Sequence, residues 1–177
     1  VLQFAPLHFD ACVEEIFVPL CTGAQLVLRT DAMLESIPNF LQSCAQKRIS
    51  VLDLPTAFWH ELVYCLDTSM HKLPDTLRLV IIGGEAALPQ PVQRWRAQVN
   101  PSVSLFNTSG PTETTVVCAT AVLGGADSAY SGDGPVPVGV PLPGLDFVIV
   151  DEHLQPVPQG DAGELCVLGP TLALNYF

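Results

Sequence analysis

From Val1 to Asn107 the chain alternates short aliphatic runs with stretches whose apolar residues recur every three or four positions. Such alternation builds strand–helix–strand units, and those units stack into a parallel sheet flanked by helices. "VLQF" (1–4) reads as a buried strand. From Ala11 the residues Val13, Ile16, Phe17 and Leu20 keep helical spacing, with Asp10 placed as N-cap and Gly23 as the stop. Pro19 is expected to kink or shorten that helix. "AQLVL" (24–28) follows as strand, then helical stretches from Asp31 to Lys47 with a fresh start at Pro38. "ISVLDL", "LRLVIIGG" and "SVSLFN" are expected strands, and "PTAFWHELVYCL" and "PQPVQRWRAQV" are the helices between them.

Open sheets of this kind bind ligands at the carboxyl ends of their strands. Three segments fall there: Asp53, "GGEAA" (83–87) and "NTSGPTE" (107–113). Gly110-Pro111 breaks regular structure, so the last is expected to be a loop, rich in hydroxyl groups and carrying one carboxylate, Glu113. After Val122 the composition changes. "GGADSAYSGDGPVPVG" (124–139) reads as an exposed connection, and residues 145–169 as two strand pairs joined by Pro/Gly turns. The expected organisation is an α/β portion over 1–122 and a smaller β-rich subdomain over 123–177.

Charge narrows the partners. Seven Lys and Arg face eighteen Asp and Glu, and so acidic a chain repels phosphate backbones, which argues against nucleic acid. No apolar run approaches the roughly 18 residues of a membrane helix, and no signal-peptide pattern opens the chain. The six cysteines (Cys12, Cys21, Cys44, Cys65, Cys118, Cys166) lack the short spacings of metal sites. They are expected to be reduced apolar fillers in a cytoplasmic protein. His60 and Trp95 are expected to be structural.

Four segments carry a resemblance: "FDACVEEIF" (9–17), "VIIGGEAAL" (80–88), "NTSGPTETT" (107–115) and "GELCVLG" (163–169). In this order they resemble the adenylation domains of nonribosomal peptide synthetases, within the superfamily of adenylate-forming enzymes. The resemblance implies activation of an amino acid by ATP to an aminoacyl-adenylate and pyrophosphate. Transfer to the phosphopantetheine thiol of a carrier domain would follow, beside a condensation domain of the same assembly. It implies that Asp10 binds the substrate α-ammonium, a charge-assisted contact, with Phe9 shaping the reaction centre. It places Gly83, Gly84, Glu85 and Ala86 against the adenine, Asn107 and Thr108 at its edge, and Ser109 and Gly110 beside it. Thr112 would contact phosphate and Glu113 would ligate Mg²⁺, a cation satisfied by one or two protein carboxylates. The side-chain pocket would be lined by Asp10, Ala11, Glu14, Asp53, Ile81, Gly83, Thr108, Val116 and Val117.

Glu14 follows Asp10 by four residues and so shares its helix face, and Asp53 ends its strand toward the same cleft. Buried carboxylates need a counter-charge, which points to lysine, ornithine or arginine as substrate. Glu14 facing solvent, or pairing with Arg29 or Arg78, is the alternative. Two departures from the family pattern stand out. Ser109 occupies the place of an aromatic that stacks on adenine, and "PTLALNYF" (170–177) lacks an expected Arg. The family's Lys-bearing phosphate loop is expected upstream of residue 1, and its ribose-binding Asp and catalytic Lys downstream of residue 177. The chain alone is therefore expected to be inactive. Competing readings are an acyl- or aryl-coenzyme A ligase of the same superfamily, which has no use for Asp10, and a non-catalytic remnant of a megasynthase.

Overall fold

The computed structural model describes residues 1–68 and 71–176. Its centre is a five-stranded sheet in the order β3 (Val51–Pro55), β4 (Leu79–Gly83), β5 (Ser104–Ser109), β6 (Ala119–Gly124) and β7 (Val140–Pro141). β3, β4 and β5 are parallel, with Asp53 opposite Ile81 and Ile81 opposite Phe106. The crossovers are helices α3 (Thr56–Thr68) and α4 (Pro89–Gln98), which pack on each other and on the sheet. Trp59 of α3 and Trp95 of α4 are almost fully buried, their ring centroids 5.9 Å apart, so Trp95 packs the core as expected. His60 is likewise structural: its Nε2 accepts the Leu88 N–H at 3.3 Å, at the start of α4.

The sheet is parallel only in part. β6 and β7 run antiparallel to their neighbours; for β6, residues 110–118 are too few for the crossover of a dozen or more that a parallel return needs. β6 passes through Val122 and ends at Gly124. The Gly-rich connection that follows is pinned down. Arg96 donates through Nη1 to the carbonyls of Leu123 and Tyr130, Gln93 Nε2 donates to the Gly132 carbonyl at 2.7 Å, and Tyr130 and Val136 pack on the core. Residues 145–169 hold one antiparallel pair, β8 (Asp146–Val150) with β9 (Glu164–Leu168), and the second expected pair is reduced to an isolated bridge between Val150 and Pro156.

At the amino end, β1 (Leu2–Gln3) pairs with β2 (Val27–Leu28), a shorter strand than "AQLVL" suggests. Between them α1 (Ala11–Thr22) continues past Pro19 and stops at Gly23, whose φ of 74° is the left-handed conformation that glycine tolerates. Pro19 therefore does not shorten the helix. The buried face of α1 also differs from the apolar stripe: Cys12, Glu15 and Pro19 are buried, while Val13, Phe17 and Leu20 are exposed. α2 (Ile37–Gln46) starts as expected, with Ser36 Oγ accepting the Asn39 N–H and Pro38 in its first turn. None of the six cysteines is joined in a disulfide.

Candidate functional site

The tips of β3, β4 and β5 and the first turn of α1 enclose a cavity of about 360 Å³. Its wall contains Phe9, Asp10, Ala11, Glu14, Asp53, Gly83, Gly84, Glu85, Thr108, Ser109, Gly110, Val116 and Val117, every one a candidate from sequence. Five candidates lie off the wall. Ile81 is one residue pair back along β4, Ala86 is exposed, and Thr112 and Glu113 sit in a short 3-10 turn beyond the rim. The fifth, Asn107, is buried, and its Nδ2 donates to the Pro137 carbonyl at 2.9 Å, fastening the connection to β7. Asn107, Thr108 and Ser109 belong to β5 itself, so the expected loop begins only at Gly110.

Close approach explains the glycine. A Cβ on Gly83 would lie 2.8 Å from Thr108 Oγ1 and 3.0 Å from its carbonyl oxygen, so β4 and β5 meet tightly at the cavity mouth. The turn after Gly83 is held by Thr56, whose hydroxyl lies 3.1 Å from the Gly83 carbonyl and 3.2 Å from that of Glu85. Thr56 escaped the sequence reading because it looks like any polar residue opening a helix.

Asp10 stands at the N-cap position of α1, but with helical backbone angles and no capping bond from its side chain. Its Oδ2 instead accepts the Thr112 hydroxyl at 2.5 Å. The carboxylate is thereby turned away from the helix end and linked to the 3-10 turn across the cavity.

Glu14 and Asp53 line the cavity beside each other, and their carboxyl groups can share a hydrogen bond when one of them carries a proton. Neither Arg29 nor Arg78 pairs with Glu14. Arg29 lies near Glu15 and over the Phe4 ring, 5.3 Å from its centroid. Burial pushes the Glu14 carboxyl up, to about 7, with the Glu15 and Asp10 carboxylates adding to it. Burial also raises Asp53, to about 8, followed by repulsion from Glu14 and Glu15.

Glu15 is the acid that sequence reasoning missed. It is 2 % exposed and accepts the Phe4 N–H at 3.0 Å, the Ala5 N–H at 3.0 and 3.1 Å, and Gln3 Nε2 at 3.3 Å. These bonds fasten the segment after β1 to α1 and so set the cavity's near wall.

Beyond the rim, Glu113 is fully exposed. Its Oε1 accepts the Tyr176 hydroxyl, and this bond holds its carboxyl below the usual range. The segment 171–176 thus lies against the turn, with the Ala173 N–H donating to the Glu113 carbonyl at 2.7 Å. Phe177, the last residue of the divergent stretch, lies outside the described residues. Among the described residues no group of three or more His, Cys, Asp or Glu could hold a metal ion. Glu113 fits a cation that draws most of its ligands from water and phosphate, being ionised and open to solvent.

The AMP-binding enzyme family matches residues 1–177. An isonitrile lipopeptide synthase of Streptomyces coeruleorubidus is 53% identical over 99% of this chain and 11% of its own length. The delta-poly-L-ornithine synthetase of Acinetobacter baumannii is 31% identical over 99% of this chain and 12% of its own. Among solved structures, the AMPPNP-bound form of the nonribosomal peptide synthetase FmoA3 superposes with a TM-score of 0.86 at 28% identity, over 99% of this chain and 18% of that one. The chain therefore spans a small part of the length of its relatives. No helix among the described residues is long and apolar enough to cross a membrane. With its family match end to end and its fold shared with synthetase structures, the chain belongs to the AMP-binding enzymes, as a segment of a nonribosomal peptide synthetase adenylation domain.

Proposed function

We propose that this segment forms the amino-acid and adenine cradle of a cytoplasmic enzyme that activates a cationic amino acid, lysine, ornithine or arginine. The enzyme joins it to ATP as an aminoacyl-adenylate, releases pyrophosphate, and passes the acyl group to the phosphopantetheine thiol of a carrier domain beside a condensation domain. The observation that carries this reading is the cavity's charge. Asp10, Glu14, Glu15, Asp53 and Glu85 line it, and among the described residues no Lys, Arg or His does.

Asp10 is the residue for the substrate α-ammonium, since its carboxylate is released from capping and held by Thr112. Glu14 and Asp53 are left for a second cation, because two charges about 4 Å apart interact by roughly 4 kcal/mol at an effective dielectric of 20. The name of the ornithine synthetase relative agrees with such a substrate. Gly83 and Gly84 are the surface for the adenine, with Glu85 and Ala86 following in the same turn, and Thr108, Ser109 and Gly110 facing them. Asn107 would present its free carbonyl at the base edge only if its bond to Pro137 is kept. Ile81, Val116 and Val117 complete the apolar side.

Thr112 would meet phosphate, and Glu113 would hold Mg²⁺, which stabilises negative charge as pyrophosphate departs. Tyr176 keeps the Glu113 carboxylate ionised and oriented for that contact.

The test is amino-acid-dependent pyrophosphate exchange by the intact enzyme. Lysine, ornithine or arginine is expected to give the highest kcat/KM, and Glu14→Gln and Asp53→Asn are expected to lower it at least tenfold for that substrate. Preference for a neutral aliphatic amino acid, unchanged in both variants, would refute the assignment. No Ser/Thr/Gly-rich loop ending in Lys-Gly occurs in residues 1–177, so the 177-residue chain alone is expected to show no exchange.

A further inference from the structure

We propose that Glu14 and Asp53 recognise the substrate's side-chain cation by exchange. The empty pair holds one proton between its two carboxyl groups, and that proton leaves to solvent as an ammonium or guanidinium group takes its place. The inference rests on the cationic reading above and adds how the cation is selected.

The geometry comes first. One carboxyl rises from the opening turn of α1 and the other from β3, and they meet across the cavity. Two ionised carboxylates are acceptors only, so their mutual bond exists only while one carries a proton. Asp53 Oδ2 is buried, and among the described residues no N–H or O–H donor reaches it. An orphaned acceptor of this kind is costly. Only a proton on the pair or a donor brought by a ligand satisfies it.

The surroundings keep the proton in place. From α1, Asp10 and Glu15 face the pair, and Glu85 comes from the turn after β4. β1 offers only the neutral Gln3, already bound to Glu15. Arg29, following β2, acts on Glu15, and His60 of α3, near Glu85, is kept neutral chiefly by burial. Among the described residues no base lines the cavity to take the proton's role. Burial and neighbouring acids together favour the protonated pair at neutral pH.

Charge conservation then gives selectivity. The empty pair, with one proton on two carboxyl groups, carries one negative charge. Two carboxylates facing one bound cation also sum to one negative charge. The O–H bond breaks, the proton goes to buffer, and new N–H···O bonds fill both carboxylates, including the orphaned oxygen. The cavity's net charge is unchanged, so the desolvation cost of an extra buried charge never arises. A neutral side chain cannot displace the proton and brings no charged donor, so it gains none of these bonds.

The experiment is isothermal titration of the intact enzyme with lysine and with ornithine between pH 6 and 8, in phosphate and in Tris. Those buffers differ widely in ionisation enthalpy, so the difference in heat counts protons. The substrate's own amino groups stay protonated over most of this range. Close to one proton released per lysine is expected at about pH 7.5, between the values of about 7 for Glu14 and about 8 for Asp53, and more than one at pH 6, with affinity rising about tenfold per pH unit at the midpoint and levelling above pH 8. Glu14→Gln and Asp53→Asn are each expected to abolish the release, and norleucine, which lacks the side-chain charge, is expected to bind far more weakly and without it. Lysine binding whose heat is equal in both buffers overturns the exchange and leaves the cationic substrate standing. Norleucine binding tightly while lysine, ornithine and arginine do not overturns both.

Discussion

Glu14 and Glu15 are adjacent in sequence and opposite in use. Glu14 faces the cavity and has only another acid as neighbour, whereas Glu15 points inward and is saturated by backbone N–H groups of Phe4 and Ala5. Removing Glu15 leaves those two buried donors without acceptors, at about 1–3 kcal/mol each. Glu15→Ala is therefore expected to lower the unfolding free energy by roughly 2–4 kcal/mol in urea, and Glu15→Gln by less, because it retains an acceptor. The family resemblance together with helical spacing made Glu14 legible, since it follows Asp10 by one turn. Glu15 was not, because its partners are brought by the segment after β1, and nothing local distinguishes its carboxylate from a solvated one. The same limit applies to Asp10, whose position reads as a cap although its side chain bonds to Thr112, more than a hundred residues away. Thr112→Val removes that bond. The KM for the amino acid is expected to rise about fivefold, as for a hydrogen bond worth about 1 kcal/mol, with the melting temperature nearly unchanged.

Among the elements, the parallel strands and their helices were legible because β3 and β4 are short runs rich in aliphatic residues, and β5 carries Leu105 and Phe106 between polar residues, each strand separated from the next by helical spacing. β6 and β7 were not. "ATAVLG" runs into a Gly-rich stretch that masks its end, and β7 is only two residues long. What closes this edge is Gly139, at a φ of 103°, where a Cβ would come within 1.9 Å of the Thr120 carbonyl oxygen. Gly139→Ala must push β7 away from β6. Amide exchange of Leu142, which donates to the Cys118 carbonyl at 2.8 Å, is expected to accelerate at least tenfold, while Val80 and Leu105 amides in the sheet centre keep their protection. α1 shows the converse failure. Its apolar spacing announced a helix correctly but did not mark the buried face, because period reports which residues share a side and not which side meets the core.

For the molecule as a whole, the acids gathered at one end of the sheet set how stability responds to pH. Glu14, Glu15 and Asp53 all have raised folded-state values, with burial as the leading cause. Between the ordinary carboxylate range near 4 and the folded values of about 7 and 8 for Glu14 and Asp53, the folded chain binds more protons than the unfolded one. The unfolding free energy must then fall as pH rises through that window, and the penalty is complete above the folded values. This is the reverse of the usual salt-bridged carboxylate, whose support appears as pH rises. The melting midpoint is expected to drop by roughly 5–10 °C between pH 5 and pH 9, taking a few kcal/mol for the group at about 2–4 °C per kcal/mol. Asp53→Asn fixes the neutral state, so it is expected to melt several degrees above the parent at pH 9 and close to it at pH 5. A bound cation supplies the same relief from outside, so saturating lysine is expected to raise the midpoint more at pH 8 than at pH 6. A parent midpoint that stays level or climbs from pH 5 to 9, with Asp53→Asn running parallel to it, would mean that these carboxyl groups are ionised together in the empty cavity and that some other charge compensates them.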